Sequence, residues 1–159
     1  MIERLLVPVG DAHLRALAQL LVDAVKSGAA ASLLTPLTLV RAEDWWRRGI
    51  APPHSGPIFL VARDVEGSVG TVQLHPAWTP HQPHRAEIAK LLVHRRRRRT
   101  GLGTQLMHTI EDAARRAEFR LLELDTKRGD AGEHLYRQLS WTAAGTIPGV
   151  RPRFGRNPA

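Results

Sequence analysis

An apolar strand, a glycine turn and an amphipathic helix follow one another directly between residues 86 and 117, and this order constrains the fold more than any other feature of the chain. Residues 86–93 begin with polar alternation and end on three apolar residues, which is typical of a strand that becomes buried. The helix that follows carries apolar residues at spacings of three and four. These residues are Leu102, Leu106, Ile110, Ala113 and Ala117.

The turn itself has the composition of an anion-binding loop. Gly101 and Gly103 allow a sharp bend that leaves backbone N–H groups bare, and the helix start near Leu102 adds the positive end of its dipole. Five consecutive arginines, residues 95–99, add charge. We therefore expect the pyrophosphate of a cofactor to bind there.

The same arginines allow a second interpretation, a solvated face or a nucleic-acid-binding patch. The formal net charge of +8 would attract polyanions in general. However, no aromatic residues alternate with the arginines to form a platform on which bases could stack. A nucleic-acid-binding module is therefore the alternative and not the leading hypothesis.

The remaining elements predict a mixed sheet covered by helices. In chain order we expect strand 5–7, a helix from Asp11 to a stop at Gly28, helix 38–48, a hairpin of strands 58–62 and 69–74, strand 121–126, helix 131–139 and strand 141–147. We expect one domain over residues 1–149 and an irregular tail over 150–159.

Composition excludes several classes of site. The chain has 159 residues and no cysteine, so disulfides, thiolate metal sites and cysteine nucleophiles are excluded. Four histidines fit no zinc pattern, and no metal is predicted, although His84 could shuttle a proton. These histidines are His75, His81, His84 and His94. The sequence shows neither a secretion leader nor a long apolar run, and we expect a cytoplasmic protein without membrane contact.

Taken in order, these motifs resemble the GNAT superfamily of acetyl-CoA-dependent N-acetyltransferases. Arg98, Gly101 and Gly103 match its cofactor motif Arg/Gln-x-x-Gly-x-Gly/Ala. Leu135-Tyr136-Arg137-Gln138-Leu139 matches its Leu-Tyr-x-x-Leu helix. The segments 85–87, 124–126 and 145–149 are similar to the tabtoxin-resistance-protein branch. Together with an N-terminal segment from Leu20 to Ala30, the matches extend over nearly the whole chain.

The resemblance implies a mixed, mostly antiparallel sheet, flanked by helices, whose strands four and five splay apart. Acetyl-CoA would be the co-substrate, with its pantetheine arm between those strands against the backbone of Leu91, Leu92 and Val93. Its pyrophosphate would rest on the loop and the start of the helix. The residues concerned are Arg98, Arg99, Thr100, Gly101, Leu102, Gly103 and Thr104.

Two departures from the family pattern modify this expectation. Arg95 and Arg99 stand where relatives usually carry proline and a small residue. The sequence also ends shortly after the match at 145–149, where the fold normally returns with a seventh strand. Without that strand, 141–147 would be an open sheet edge, and we expect either a homodimer through this edge or reduced stability.

Acetyl transfer to an amine needs a proton acceptor, a stabilised oxyanion and an acid for the leaving thiolate. The resemblance implies Glu87 as the base, Asp125 as a second carboxylate near the amine, and Tyr136 as the acid. A backbone N–H near Leu92 or Val93, at a bulge in the fourth strand, would bind the oxyanion. Direct transfer in a ternary complex is expected, because no serine has the context of a nucleophile.

Each of these residues also has an ordinary structural interpretation. Glu87 could be a surface charge, Asp125 a turn cap and Tyr136 a core side chain. The expected acceptor is a small molecule with a primary amine, of the amino-acid, dipeptide or toxin type. Trp45 and Trp78 are expected to line its pocket. A degenerate acetyltransferase that binds CoA without turnover is the remaining alternative.

Overall fold

The chain folds into a mixed α/β structure, as its hydrophobic pattern predicts. The computed structural model describes residues 1–6, 8–27, 36–50, 56–77 and 79–148. In chain order, the elements in these ranges are β1 (Ile2–Arg4), α1 (Asp11–Lys26), α2 (Leu39–Ile50), β2 (Ile58–Asp64), β3 (Gly67–Pro76), β4 (Arg85–Val93), α3 (Leu102–Arg116), β5 (Leu121–Glu123) and α4 (Ala131–Gln138). None of these helices is long and apolar enough to span a bilayer.

The chain divides into two compact units, Met1–Asp125 and Thr126–Ala159. The first unit holds the sheet, and the second holds α4. A single domain over residues 1–149 stays a prediction, and the predicted tail at 150–159 lies outside the described residues.

The sheet has the strand order β1-β2-β3-β4-β5. The first four strands pair antiparallel, and β5 pairs parallel to β4 after the crossover through α3. At the β2–β3 hairpin, Gly67 has φ +132° and Asp64 accepts the Glu66 N–H at 2.9 Å. The hairpin at Glu66–Gly67 and the mostly antiparallel mixed sheet are both confirmed.

Strands β4 and β5 separate soon after they meet. Their register pairs Arg85 with Leu121 and Glu87 with Glu123, where β5 ends, whereas β4 continues to Val93. The predicted splay is therefore confirmed. Within the described chain, the last two-thirds of β4 pairs with β3 alone.

Helices cover both faces of the first unit's sheet. Strand β3 is buried from Ser68 to Leu74 without alternation, because α1 and α3 both pack against it. Helix α2 packs against α1, and the fully buried Trp46 donates its Nε1–H to the Leu17 carbonyl at 2.9 Å. The indole therefore fixes α2 on α1 without leaving a buried donor unpaired.

In the second unit, α4 begins after Asp130. The Glu133 side chain accepts the Gly129 N–H, and this bond, together with Arg137, lowers the pKa of Glu133. After α4 the backbone N–H of Trp141 donates to the Tyr136 carbonyl at 2.9 Å, and the centres of the Trp141 and Tyr136 rings lie 6.3 Å apart.

Four expectations about elements were wrong. The first strand lies at Ile2–Arg4 and not at 5–7, because pairing with β2 sets its extent. The fifth strand ends at Glu123 and not at 126, because β4 offers no partner beyond Glu87. Residues 141–147 form no strand. On α3, Met107 and Ala114 are fully buried in place of Ala113 and Ala117.

The missing strand at 141–147 affects one further expectation. Since these residues do not form a sheet edge, that edge gives no reason for a homodimer. Dimerisation stays a prediction.

Candidate active site

The loop of residues 94–101, here named the arginine loop, connects β4 to α3. Residues Arg95–Arg97 form a short 3-10 turn, which the His94 Nδ1 caps by accepting the Arg96 N–H at 3.2 Å. Thr100 donates its hydroxyl to the Arg97 carbonyl at 2.5 Å. These local bonds give the loop a defined backbone path towards the helix.

Gly101 turns the backbone into α3. Its φ of +84° lies in the left-handed region, and an added Cβ would meet nothing within 4 Å. Glycine is therefore favoured here by the backbone conformation and not by a lack of space for a side chain. No side chain caps the helix, and its first backbone bond runs from the Gln105 N–H to the Gly101 carbonyl. The N–H groups of Leu102, Gly103 and Thr104 precede that bond, so the turn can bind an anion.

Three of the five arginines form ion pairs inside the protein. Arg95 Nε lies 2.5 Å from Asp23 on α1, and Arg96 and Arg97 pair with Asp64 at the end of β2. Arg96 also pairs with Glu66. These carboxylates neutralise much of the charge that made the loop resemble a nucleic-acid patch.

The other two arginines are placed differently. Arg98 donates from Nη2 to the Ser27 hydroxyl at 2.6 Å and from Nε to the Val93 carbonyl at 3.3 Å. Arg99 has a left-handed φ of +58°, is exposed, and makes no hydrogen bond or ion pair with any described residue. Its guanidinium is therefore available to a phosphate.

Strand β4 carries the predicted bulge. Between the pairs Thr71–Leu92 and Gln73–Ala89, β4 has one residue more than β3, and Lys90 has φ +55°. The Thr71 hydroxyl donates to the Lys90 carbonyl at 3.2 Å. The bulge therefore reorients the backbone immediately before Leu92, where the oxyanion donor is expected.

An indole lies beside this bulge. The Lys90 ammonium lies 5.4 Å from the centre of the Trp45 ring, which meets Trp46 edge-on at 5.1 Å. The half-buried Trp45 thus lies close to β4, consistent with a pocket wall. Trp78, the other predicted wall, lies outside the described residues.

Carboxylates gather where β4 and β5 part. Glu87 faces Glu123 directly across the ladder, and Arg85 binds both carboxylate oxygens of Glu123 at 2.5 and 2.7 Å. Although Glu87 is exposed, partial burial raises its pKa, the charges of Asp125 and Glu123 raise it further, and Lys90 opposes them. Arg85 pairs with Glu123, whereas the raised pKa of Glu87 suits its carboxylate to accept a proton.

The structure brings Glu87 and Asp125 together and places the predicted cofactor-binding residues on β4, the arginine loop and the start of α3. Glu87 and Asp125 lie near enough for their charges to interact, and Leu91, Leu92 and Val93 lie on the same strand as Glu87. Tyr136 is half-buried on α4 in the second unit. The roles of these residues stay predictions.

Among the four histidines noted in the sequence, His75 and His94 have side-chain hydrogen bonds in the described chain. His75 bonds to the Gln73 side chain at 2.9 Å, and the exposed His84 accepts backbone N–H groups at the start of β5 through its carbonyl.

The sequence did not point to the partners of the arginine loop. Asp23, Ser27, Asp64 and Glu66 contact the loop from segments 30 to 72 residues away in sequence. Only the hairpin signal at Glu66–Gly67 marked one of these segments, and it gave no indication of a contact.

A family model described as the acetyltransferase (GNAT) family matches residues 32–141. The chain belongs to the GNAT family of acetyltransferases. The family expected from the sequence is confirmed, and with it the expectation that the protein is an acetyltransferase.

Two proteins of similar sequence are L-methionine sulfoximine/L-methionine sulfone acetyltransferases. That of Pseudomonas paraeruginosa is 29% identical over 84% of this GNAT chain and 77% of its own length. That of Pseudomonas aeruginosa is 28% identical over the same shares.

Solved structures support the fold. A ribosomal-protein-alanine N-acetyltransferase from Brucella melitensis aligns with a TM-score of 0.75 at 24% identity, covering 98% of this chain and 93% of its own. A Salmonella typhimurium protein solved with its cofactor acetyl-CoA aligns at 0.73 and 21% identity, covering 98% and 87%. At these identities the likeness establishes the GNAT fold alone.

Proposed function

We propose that this GNAT protein transfers the acetyl group of acetyl-CoA directly to the primary amine of a small molecule of amino-acid type, in the cytoplasm. The observation that carries the proposal is the side of β4 beyond Glu87, on which no described strand pairs. From there the arginine loop leads to the first turn of α3 at Gly101, which no described side chain caps. An extended amide chain can pair with such a strand as an added strand would, and a diphosphate can bind at the helix end.

The residues present fit the proposed donor. The backbone of Leu91, Leu92 and Val93 lies on the open part of β4, in the position for a pantetheine arm. The first-turn N–H groups of α3, with Arg98, Arg99 and Thr100, supply donors and positive charge for the phosphates. Bound there, acetyl-CoA would supply an activated acetyl thioester.

Glu87 is the proposed proton acceptor. An amine attacks only when neutral, and the raised pKa of Glu87 makes its carboxylate a better base for the ammonium proton. Asp125, whose charge acts on Glu87, attracts the same ammonium group. As the nitrogen bonds to the acetyl carbon and the carbon–sulfur bond breaks, the Leu92 or Val93 N–H would stabilise the carbonyl oxygen and the Tyr136 phenol would protonate the thiolate. The second proton lost by the nitrogen would restore the phenol by way of solvent, and the proton on Glu87 would leave to solvent.

The acceptor class rests on the relatives. Both are named for L-methionine sulfoximine and L-methionine sulfone, which carry an α-amino group. We propose that this protein also accepts an α-amino group on a small polar molecule, and L-methionine sulfoximine is the first acceptor to test.

The first experiment is calorimetric titration with acetyl-CoA beside a short DNA duplex, using Gly101→Glu as the disrupted variant. We expect saturable binding of acetyl-CoA that is lost in Gly101→Glu, because the variant strains the turn and places a carboxylate against the phosphates. Gly129→Glu is the matched control, since Gly129 has a similar φ of +86° and equal space. Binding of DNA without binding of acetyl-CoA would refute the proposal.

The second experiment measures turnover. Release of the CoA thiol can be followed with a thiol reagent free of background, because the protein has no cysteine. With L-methionine sulfoximine as acceptor, we expect Glu87→Gln to lower kcat by about 100-fold or more, the usual contribution of a general base. The exposed Glu118→Gln should match the wild type. Donor binding without turnover of any amine would indicate the degenerate acetyltransferase.

A further inference from the structure

One half-buried carboxylate near the arginine loop has no part in the proposed chemistry. Asp23 lies in the last turns of α1, with its side chain 11% exposed. Its Oδ2 accepts the Arg95 backbone N–H at 3.0 Å, and its Oδ1 accepts Arg95 Nε at 2.5 Å. His94 Nε2 lies 3.7 Å from Oδ1. A carboxylate held in this way fixes both the backbone and the side chain of Arg95.

The charge of Asp23 is stabilised by these contacts. Burial alone would raise the pKa of Asp23, but the two hydrogen bonds from Arg95 and the charges of His94 and Arg95 outweigh it, so the pKa is lowered. A buried carboxylate is costly unless it is paired and hydrogen-bonded. Asp23 meets both conditions through residues of the loop.

Ser27 adds a second attachment from the same end of α1. Its hydroxyl donates to the Asp23 carbonyl at 2.6 Å and accepts from Arg98 Nη2 at 2.6 Å. Asp23 therefore holds the loop at Arg95, the first residue of its 3-10 turn, and Ser27 holds it at Arg98, directly after the turn. Asp64 holds the intervening Arg96 and Arg97 from the β2–β3 hairpin.

We infer that Asp23, with Ser27, is a positioning residue for the acetyl donor: it sets the backbone path of the arginine loop, and through Arg98 the approach to Gly101, without touching the donor itself. Binding a diphosphate to backbone N–H groups requires those groups to be oriented beforehand. Five consecutive arginines repel one another. Without these contacts, the free energy needed to order the loop would weaken the binding of the donor. The inference rests on the proposed function, because it concerns the same donor site.

The test compares Asp23→Asn with Asp112→Asn. Asp112 is an exposed carboxylate paired with Arg115 on α3, so the control makes the same change in charge outside the loop. Titration with acetyl-CoA well below the Tm of either variant should show Kd raised about tenfold in Asp23→Asn, the loss that corresponds to one charge-assisted hydrogen bond. Asp112→Asn should bind as the wild type does.

A double-mutant cycle and a kinetic measurement separate positioning from mere stability. Asp23→Asn combined with Arg95→Ala should bind no more weakly than the weaker single variant, because both remove one contact. With L-methionine sulfoximine as acceptor, KM for acetyl-CoA should rise while kcat at saturating donor stays within about twofold. A lower Tm with unchanged Kd would make Asp23 a structural residue only and overturn the inference.

The outcomes also distinguish this inference from the proposal on which it rests. If the wild type binds acetyl-CoA and Asp23→Asn binds it equally well, only the positioning role is refuted. If the wild type binds no acetyl-CoA, the proposed function and the positioning role are refuted together.

Discussion

Substituting Gly70 with alanine tests how tightly α3 is seated on the sheet. Gly70 lies in β3, opposite Val93, and is buried under α3. A Cβ there would lie 2.8 Å from Leu106 Cδ1, 3.3 Å from Leu102 Cδ2 and 3.2 Å from the Leu92 carbonyl oxygen. Carbon atoms in ordinary contact are about 3.5–4.0 Å apart, so the new methyl group would overlap Leu106 by about 0.7–1.2 Å.

Local relief has little room, because Leu106 is fully buried, Leu102 is 5% exposed, and the Leu92 oxygen belongs to the backbone of β4. Either the Leu106 side chain leaves its preferred conformation or the first turns of α3 shift, and overpacking of this kind typically costs about 1–3 kcal/mol of stability. For a chain of this length that corresponds to a fall in Tm of about 2–12 °C.

Thermal unfolding followed by circular dichroism measures the fall, and titration with acetyl-CoA measures its effect on the site. Because Leu102 and Gly101 begin α3, the same shift should weaken donor binding. Gly49→Ala is the control: Gly49 lies in α2, a Cβ there meets nothing within 4 Å, and alanine favours the helix. A Gly70→Ala variant with the Tm of the wild type would refute the packing argument.

Three further predictions follow from the geometry. Trp46→Phe removes the indole N–H that the Leu17 carbonyl accepts in addition to its helical bond, and it leaves part of a fully buried ring volume empty. This should cost about 1–3 kcal/mol, seen in urea as a lower midpoint with an unchanged slope; an unchanged midpoint would contradict it. Glu123→Gln removes a charge that raises the pKa of Glu87, so the acid limb of kcat/KM should move to lower pH, and a shift to higher pH would count against Glu87 as the base. Folding lowers the pKa of Asp23, so its carboxylate stabilises the folded state above the unfolded-state pKa, and this contribution is lost as the pH falls through the folded-state pKa. The difference in unfolding free energy between wild type and Asp23→Asn should therefore shrink in acid. A difference that stays constant with pH would refute this linkage.

Patterns within a short stretch of sequence predicted much of the fold. Leu102, Leu106 and Ile110 all lie on the buried face of α3, because their spacing repeats with the helix. Gly101 was expected to turn the chain, and its left-handed φ confirms this. Both features depend only on the backbone near the residue.

Features set by a distant partner were predicted less well. The first strand was placed a few residues late because its extent depends on β2. The expected strand at 141–147 was wrong, since a segment forms a strand only where a partner strand completes the ladder. The bulge at Lys90 was expected from the family resemblance and not from the strand's own residues.

The sequence by itself determined the strand–turn–helix unit and, through its ordered motifs, the family, and it predicts that the turn binds an anion. Only the tertiary structure decided the use of the arginines. Asp23 and Arg95 are 72 residues apart, so no local spacing could pair them. The fold brings the end of α1 and the β2–β3 hairpin to the end of the strands from which the arginine loop leaves β4. Their carboxylates neutralise charges that the sequence presents as a single exposed run.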